Sequence, residues 1–176
     1  ALALARIAFG YQFQTVATLA TELVRRFGLT YAQLGSLIGA YMLLGVFVAL
    51  PLGLLGRRFG DRRVLGTGLV LMIAGACVSA WADTASGIAL GRTLSGVGAV
   101  AMIVRQGKVI ADWFTGTRFM IGISVSVCAY PIGIGLSQLV LPSVLARFGL
   151  HIAFLTDAVP TVIALLLFRA SYQGPP

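Results

Sequence analysis

Charge is what this sequence has least of. Asp, Glu, Lys and Arg make up 10% of its 176 residues and apolar residues 59%, against about 25% and about 45–50% in soluble domains. Such a chain cannot cover itself with polar surface. Acids are scarcest, with five Asp and Glu against thirteen Lys and Arg, for a net charge of +8. That excess would suggest nucleic acid if the cations shared one solvated face. They fall instead in short clusters between long apolar runs, where they act as topology determinants beside anionic lipid headgroups, so no nucleic-acid partner is expected. The two cysteines, Cys77 and Cys128, lie inside apolar runs, pack as small hydrophobes and are poorly placed for a disulfide. The single histidine, His151, reads as a loop residue. No metal site, cofactor or catalytic centre is expected.

What is present is a series of apolar stretches. A bilayer core about 30 Å thick needs roughly 20 apolar residues per helix, so the chain holds six spans, short connections and no sizeable soluble domain. The first twenty residues contain Arg6, Gln12 and Gln14 and lack both a basic leader and a cleavage site, so they read as the first span rather than a signal peptide. The chain begins with Ala, and a few initiating residues are expected before it. Charge and helix-ending residues place the spans at about 4–26, 31–57, 63–82, 85–109, 118–147 and 152–169. The expected fold is all-α integral membrane, a six-helix bundle over residues 1–170, with 171–176 starting a polar cytoplasmic linker.

Three helix ends share Arg-Phe-Gly, at Arg26-Phe27-Gly28, Arg58-Phe59-Gly60 and Arg147-Phe148-Gly149. A cation in the last turn complements the helix dipole, and Gly beyond it supplies a left-handed cap. Thr30 with Gln33 predicts a capping box, Asp61 a cap for the third span and Thr84 one for the fourth. With the amino terminus inside, Arg6, Arg57, Arg58, Arg62, Arg63, Arg105, Lys108, Arg118 and Arg169 are cytoplasmic against Arg25, Arg26 and Arg147 outside, an orientation the positive-inside rule favours. The loops after spans two and five share Arg-Phe-Gly after an aliphatic run with Pro upstream. This fits a three-plus-three repeat and equally a shared capping habit.

The segment GLLGRRFGDRR, Gly53 to Arg63, packs four arginines and one aspartate between two apolar helices. Anchoring by the positive-inside rule explains part of it. Through Gly53, Leu55, Arg58, Gly60 and Arg62 it also resembles the major facilitator loop between helices two and three, Gly-x-Leu-Ala-Asp-Arg-x-Gly-Arg-Lys/Arg. It departs where Arg57 replaces the usual Asp and Asp61 the usual Arg. The resemblance implies a cytoplasmic gating loop of Gly53, Arg57, Arg58, Gly60, Asp61, Arg62 and Arg63, with a relocated salt-bridge latch to which Asp61 or Asp112 supplies the carboxylate. Leu90 to Ala99, LGRTLSGVGA, resembles the family's fourth-helix motif of Arg followed by a Gly-rich stretch. Tyr130-Pro131 with Gly133 and Gly135 resembles its Pro-Gly fifth-helix signature, without the Gly before Pro that marks the antiporter form. Lys108 to Phe114, with Tyr31 to Gly35, is similar to cyanate-like and nitrate-like porters.

Arg92 lies about two turns into the fourth span, where an unpaired cation costs on the order of 2.5–3.5 kcal/mol. Two readings stand: it snorkels outward or bonds carbonyls, or it faces the cavity as an anion or proton-coupling contact. Tyr11, Gln14 and Thr18 share a face of span one, for cavity lining or interhelical hydrogen bonding. Ser124, Cys128, Pro131, Gly135 and Gln138 recur at helical spacing on span five, for close packing or an aqueous wall. Gly35, Gly39, Gly45, Ala49 and Gly53 mark small-residue packing on span two, with Tyr41 the candidate ligand contact. The expected solute path is thus Tyr11, Gln14, Thr18, Tyr41, Arg92, Ser95, Ser124, Tyr130 and Gln138, and Pro131, Gly133 and Gly135 form a hinge. Asp157, three residues before Pro160, reads as a local helix cap rather than a proton relay.

The resemblance implies a secondary transporter working by rocker-switch alternating access on a small solute, with a small or organic anion the class favoured. Its expected partners are the lipid bilayer, a coupling ion such as the proton and a carboxy-terminal six-helix half, in a bacterial inner membrane with the amino terminus cytoplasmic. Two other classes compete. A complete six-helix protein acting as homodimer or subunit would end near Pro176. An intramembrane serine protease would use Ser95 and His151, but its signature needs Gly where Thr93 stands.

Overall fold

The computed structural model describes residues 1–171, with the side chains of Leu44, Val46 and residues 55–57 excepted. The expected linker therefore lies outside the described residues beyond Ser171, as does the side chain of Arg57. The described chain is all helix: α1 (Leu2–Thr18), α2 (Ala20–Phe27), α3 (Tyr31–Phe59), α4 (Asp61–Ala80), α5 (Ala85–Trp113), α6 (Gly116–Leu155) and α7 (Ala158–Ser171).

Among the described residues, four helices are individually long and apolar enough to cross a membrane: Tyr31–Leu54 within α3, then α4, α5 and α6. The first and last crossings are each divided. Leu19 (φ −91°, ψ 8°) separates α1 from α2, yet its N–H still bonds Thr15 O at 2.9 Å and its carbonyl accepts from Leu23 N at 3.0 Å, so the two segments run on as one bent helix. Gly149 (φ 79°, ψ −179°) breaks α6, and residues 150–155 belong with α7 to the sixth crossing. His151 is accordingly helical rather than in a loop.

Local chemistry explains most helix ends. The Thr30 N–H donates to Gln33 Oε1 at 2.9 Å and Gln33 N–H to Thr30 Oγ1 at 3.3 Å, the reciprocal capping box. Thr84 Oγ1 accepts from Gly87 N–H at 3.1 Å. Gly28 is left-handed (φ 63°, ψ 30°) with its N–H on Val24 O, while Gly60 and Gly149 have positive φ with extended ψ, so only the first Arg-Phe-Gly ends in a left-handed cap. Asp61 does not cap α4 as expected; its N-cap is Gly60, without a side-chain bond, because the Asp61 carboxylate is drawn to cations on α5.

The core consists of two apolar clusters. Val16, Leu19, Leu23, Leu34, Leu37, Ile88, Leu141 and Phe154 fill one end. Phe9, Tyr41, Leu65, Leu69, Met72, Met102, Val109 and Phe168 fill the other. Helices meet where they lack side chains. A Cβ on Gly75 would strike the Gly91 backbone and one on Gly98 the Gly68 carbonyl, which joins α4 to α5; Gly96 lies against the Tyr41 backbone of α3. Gly10 lies against Tyr130 and Gly133 against Ile7, which joins α1 to α6. Close approach thus accounts for Gly133. The α6 backbone stays helical through Pro131 and Pro142 and departs from helical angles only at Gly149. On α3, Gly45 packs tightly on Val100, but Gly35, Gly39 and Gly53 have open space before them. Of the glycines in that stripe, only Gly45 therefore marks a close approach among the described residues.

A buried polar layer and an aromatic cluster

Between the two apolar clusters lies a layer of polar side chains. Gln12 of α1 is its centre, 1% exposed. Its Nε2 donates to Asp157 O at 3.0 Å, Thr161 Oγ1 at 3.1 Å and Met72 O at 3.4 Å, and its Oε1 accepts from Tyr41 Oη at 3.4 Å. One turn on, Thr15 Oγ1 donates to Asp157 Oδ1 at 2.5 Å and Tyr11 Oη pairs with Thr156 Oγ1 at 3.0 Å. Ser95 Oγ donates to Met72 O at 3.2 Å. Helix α1 is thereby tied to α3, α4 and the start of α7 at one depth. Asp157 does not cap α7: its carboxylate reaches α1.

Arg92 enters the same layer from α5 and is 2% exposed. Its Nη1 donates to Gln12 O and its Nη2 to Phe13 O at 3.2 Å, and the guanidinium lies over the Tyr41 ring, 4.2 Å from the centroid. The side chain neither snorkels outward nor finds a carboxylate. Carbonyl hydrogen bonds from a charged donor contribute about 1.5–3 kcal/mol each, so two of them offset an insertion cost of about 2.5–3.5 kcal/mol.

Tyr41 and Tyr130 meet Phe9 and Phe13 in an aromatic cluster shared by α1, α3 and α6. Phe9 stacks on Tyr130 at 5.1 Å and lies 5.9 Å from Tyr41, and Phe13 lies 6.1 Å from both tyrosines. A second arginine closes its other side: the Arg6 guanidinium lies 5.1 Å from the Phe9 centroid and 5.7 Å from that of Tyr130. The Nε atoms of both Arg6 and Arg92 are buried without a hydrogen-bond partner. Two unsatisfied cationic donors therefore flank one aromatic cluster, whose members Arg6, Phe13 and Tyr130 are half-buried rather than sealed.

At the end bearing the arginine-rich loop, Asp61 forms ion pairs of 2.8 Å with both Arg105 and Lys108, and Lys108 pairs with Asp112 at 2.5 Å. Arg105, 3% exposed, also donates to the Leu52 and Gly53 carbonyls of α3. This network binds the end of α3, the start of α4 and α5. Arg58 lies over Phe59, and Arg62 and Arg63 are exposed.

Of the residues singled out from sequence, Tyr41, Arg92 and Tyr130 come together. Tyr11 and Ser95 bond within the polar layer but outside the aromatic cluster. Thr18 is half-buried with its Oγ1 unpartnered, Gln14 is half-buried, and Ser124 and Gln138 are exposed. Ser95 and His151 are engaged apart, the latter with Ala80 O at 2.5 Å and Arg26 at 3.5 Å. Gln12, Thr15, Phe9, Phe13, Arg6 and Arg105 were not foreseen as site residues, and Asp157 was read as a helix cap. A signal existed for two of them, since Gln12 and Thr15 stand three apart and so share a face.

Residues 2–176 match the family model described as Major Facilitator Superfamily, and the chain belongs to that family, one of membrane transporters rather than enzymes. Among curated proteins it is similar to the inner membrane transport protein YajR of Escherichia coli strain K12, 31% identical over 152 residues that cover 80% of this chain and 31% of YajR. It is also 22% identical over 143 residues to an uncharacterized transporter of Buchnera aphidicola subsp. Schizaphis graminum, covering 76% of this chain and 34% of that one. The fold matches the inward-open xylose transporter XylE from E. coli with a TM-score of 0.85 at 18% identity, over 99% of this chain and 47% of XylE. The chain spans about a third of the length of these curated relatives.

Proposed function

We propose that these six helices are the amino-terminal half of a proton-coupled secondary transporter for a small or organic anion. The half sits in a bacterial inner membrane with its amino terminus in the cytoplasm and rocks against a second six-helix half. The observation that carries the anion is the placing of the Arg6 and Arg92 guanidinium groups on either side of Phe9, Phe13, Tyr41 and Tyr130, where neither pairs with a carboxylate among the described residues. Guanidinium groups recognise carboxylate and phosphate by planar donation, and aromatic walls take the apolar remainder of an organic solute. In the family's alternating-access scheme the site lies near the midplane, between two halves. Arg92 supports that depth, being seven residues into α5, about 10 Å.

The coupling reading rests on the carboxylates. Glu22, Asp61, Asp83 and Asp112 each lie within 4 Å of a Lys or Arg among the described residues, and Asp157 does not. Asp157 is buried in the polar layer on a hydroxyl, where a proton can be taken up without breaking an ion pair. XylE, a fold relative, is described as a proton:xylose symporter.

The full-length protein in proteoliposomes tests both parts. Small organic anions should raise its thermal midpoint and neutral sugars should not, and Arg6→Gln should abolish the anion response. Stabilisation by sugars alone removes the anion. Asp157→Asn should abolish uptake driven by an imposed proton gradient and spare solute exchange; gradient-driven uptake at the wild-type rate removes the coupling.

A further inference from the structure

A wide groove lies away from the polar layer, between the first turns of α4 and the last turn of α7. We propose that it binds the headgroup of an anionic phospholipid, phosphatidylglycerol or cardiolipin, in the leaflet on the arginine-rich side. The groove holds about 830 Å³. Arg62, Arg63 and Arg169 stand at its rim, and Gly66, Val70 and Phe168 are among its walls.

Charge identifies the occupant. All five carboxylates of the chain are placed, and among the described residues none pairs with Arg62, Arg63 or Arg169. Arg62 Nη2 donates to Arg169 O at 3.5 Å, which holds the rim together across the two helices. Three guanidinium groups on one rim suit a phosphodiester, which accepts several planar donors at once.

Shape selects a lipid over a soluble phosphate. From Arg63 to Val70 the α4 axis advances about 10 Å, so the rim sits at headgroup level while Val70, 47% exposed, lies at acyl depth. A Cβ on Gly66 would meet nothing within 4 Å, which leaves the wall between them open. The groove is thus polar at one end and apolar along its length, the amphipathic profile of a phospholipid and not of inorganic phosphate.

Native mass spectrometry of the full-length protein, purified in detergent and offered phosphatidylglycerol, phosphatidylcholine or soluble glycerophosphoglycerol, tests this. Wild type should retain phosphatidylglycerol selectively. The triple change Arg62→Gln, Arg63→Gln and Arg169→Gln should lower retention at least about tenfold, given that each basic residue near a membrane surface adds to anionic-lipid binding. Gly66→Leu keeps every charge, favours the helix and fills the groove, and should lower retention comparably. Arg118→Gln with Arg147→Gln, outside the groove, should leave it unchanged. The site is overturned by any of four results. These are equal retention of phosphatidylcholine, competition by glycerophosphoglycerol as strong as by the lipid, full retention in Gly66→Leu, or an equal loss in the Arg118 and Arg147 control.

Discussion

Arg92 and Arg105 are both nearly inaccessible, yet they are neutralised by different means. Arg92 relies on two carbonyls and an aromatic face, Arg105 on a carboxylate and two carbonyls. The consequences of substitution differ accordingly. Asp61→Asn strands the Arg105 cation and should cost about 3–5 kcal/mol, at the lower end because the Leu52 and Gly53 carbonyls remain. Asp112→Asn breaks an exposed pair and should cost less than about 1 kcal/mol. Chemical unfolding of the full-length protein in mixed micelles measures both, and equal midpoints for the two variants would contradict the burial argument. Arg92→Lys retains the charge but has a single donor centre for two carbonyls, and it should lower the thermal midpoint relative to wild type; an unchanged midpoint would remove the carbonyl pair as a stabilising contact.

At the level of the helix, the ends were the most legible feature of the sequence, because caps depend on neighbours a few residues away. Thr30 with Gln33 and Thr84 behave as read. Asp61 does not, since two cations on α5 outcompete the backbone N–H groups for its carboxylate. Glycine spacing on α3 looked like a packing stripe, whereas apart from Gly45 the glycines that bring helices together lie on α4, α5, α1 and α6. Periodicity identifies a face but not its neighbour. The polar layer was hidden for a related reason. Gln12 and Gln14 differ by two positions, about 200° around the helix; each has a polar neighbour at helical spacing, Thr15 for the one and Tyr11 and Thr18 for the other, so the shared-face signal fits both and does not choose which turns inward. The glycine contacts yield a prediction: Gly75→Leu should drive backbones apart and abolish a monodisperse peak on size exclusion in detergent, whereas Gly39→Ala should leave the peak intact. Similar behaviour of both variants would show that the α4–α5 approach does not require glycine.

For the whole molecule, the distribution of cations sets the orientation proposed above. With Cys77 and Cys128 replaced, Asp83→Cys should react with an impermeant maleimide in intact cells and Thr115→Cys only after permeabilisation. The opposite pattern would invert the topology and move the lipid groove to the other leaflet. One further property follows from the position of Gln12, Thr15 and the carbonyl oxygens beside them. Sliding α1 by a single residue, about 1.5 Å, would unmake bonds to Tyr41, Met72, Arg92, Asp157 and Thr161 together. These contacts act like the teeth of a key. They resist screw and piston movements inside the bundle, so in the rocking motion proposed above the six helices would pivot as one block with their internal register preserved.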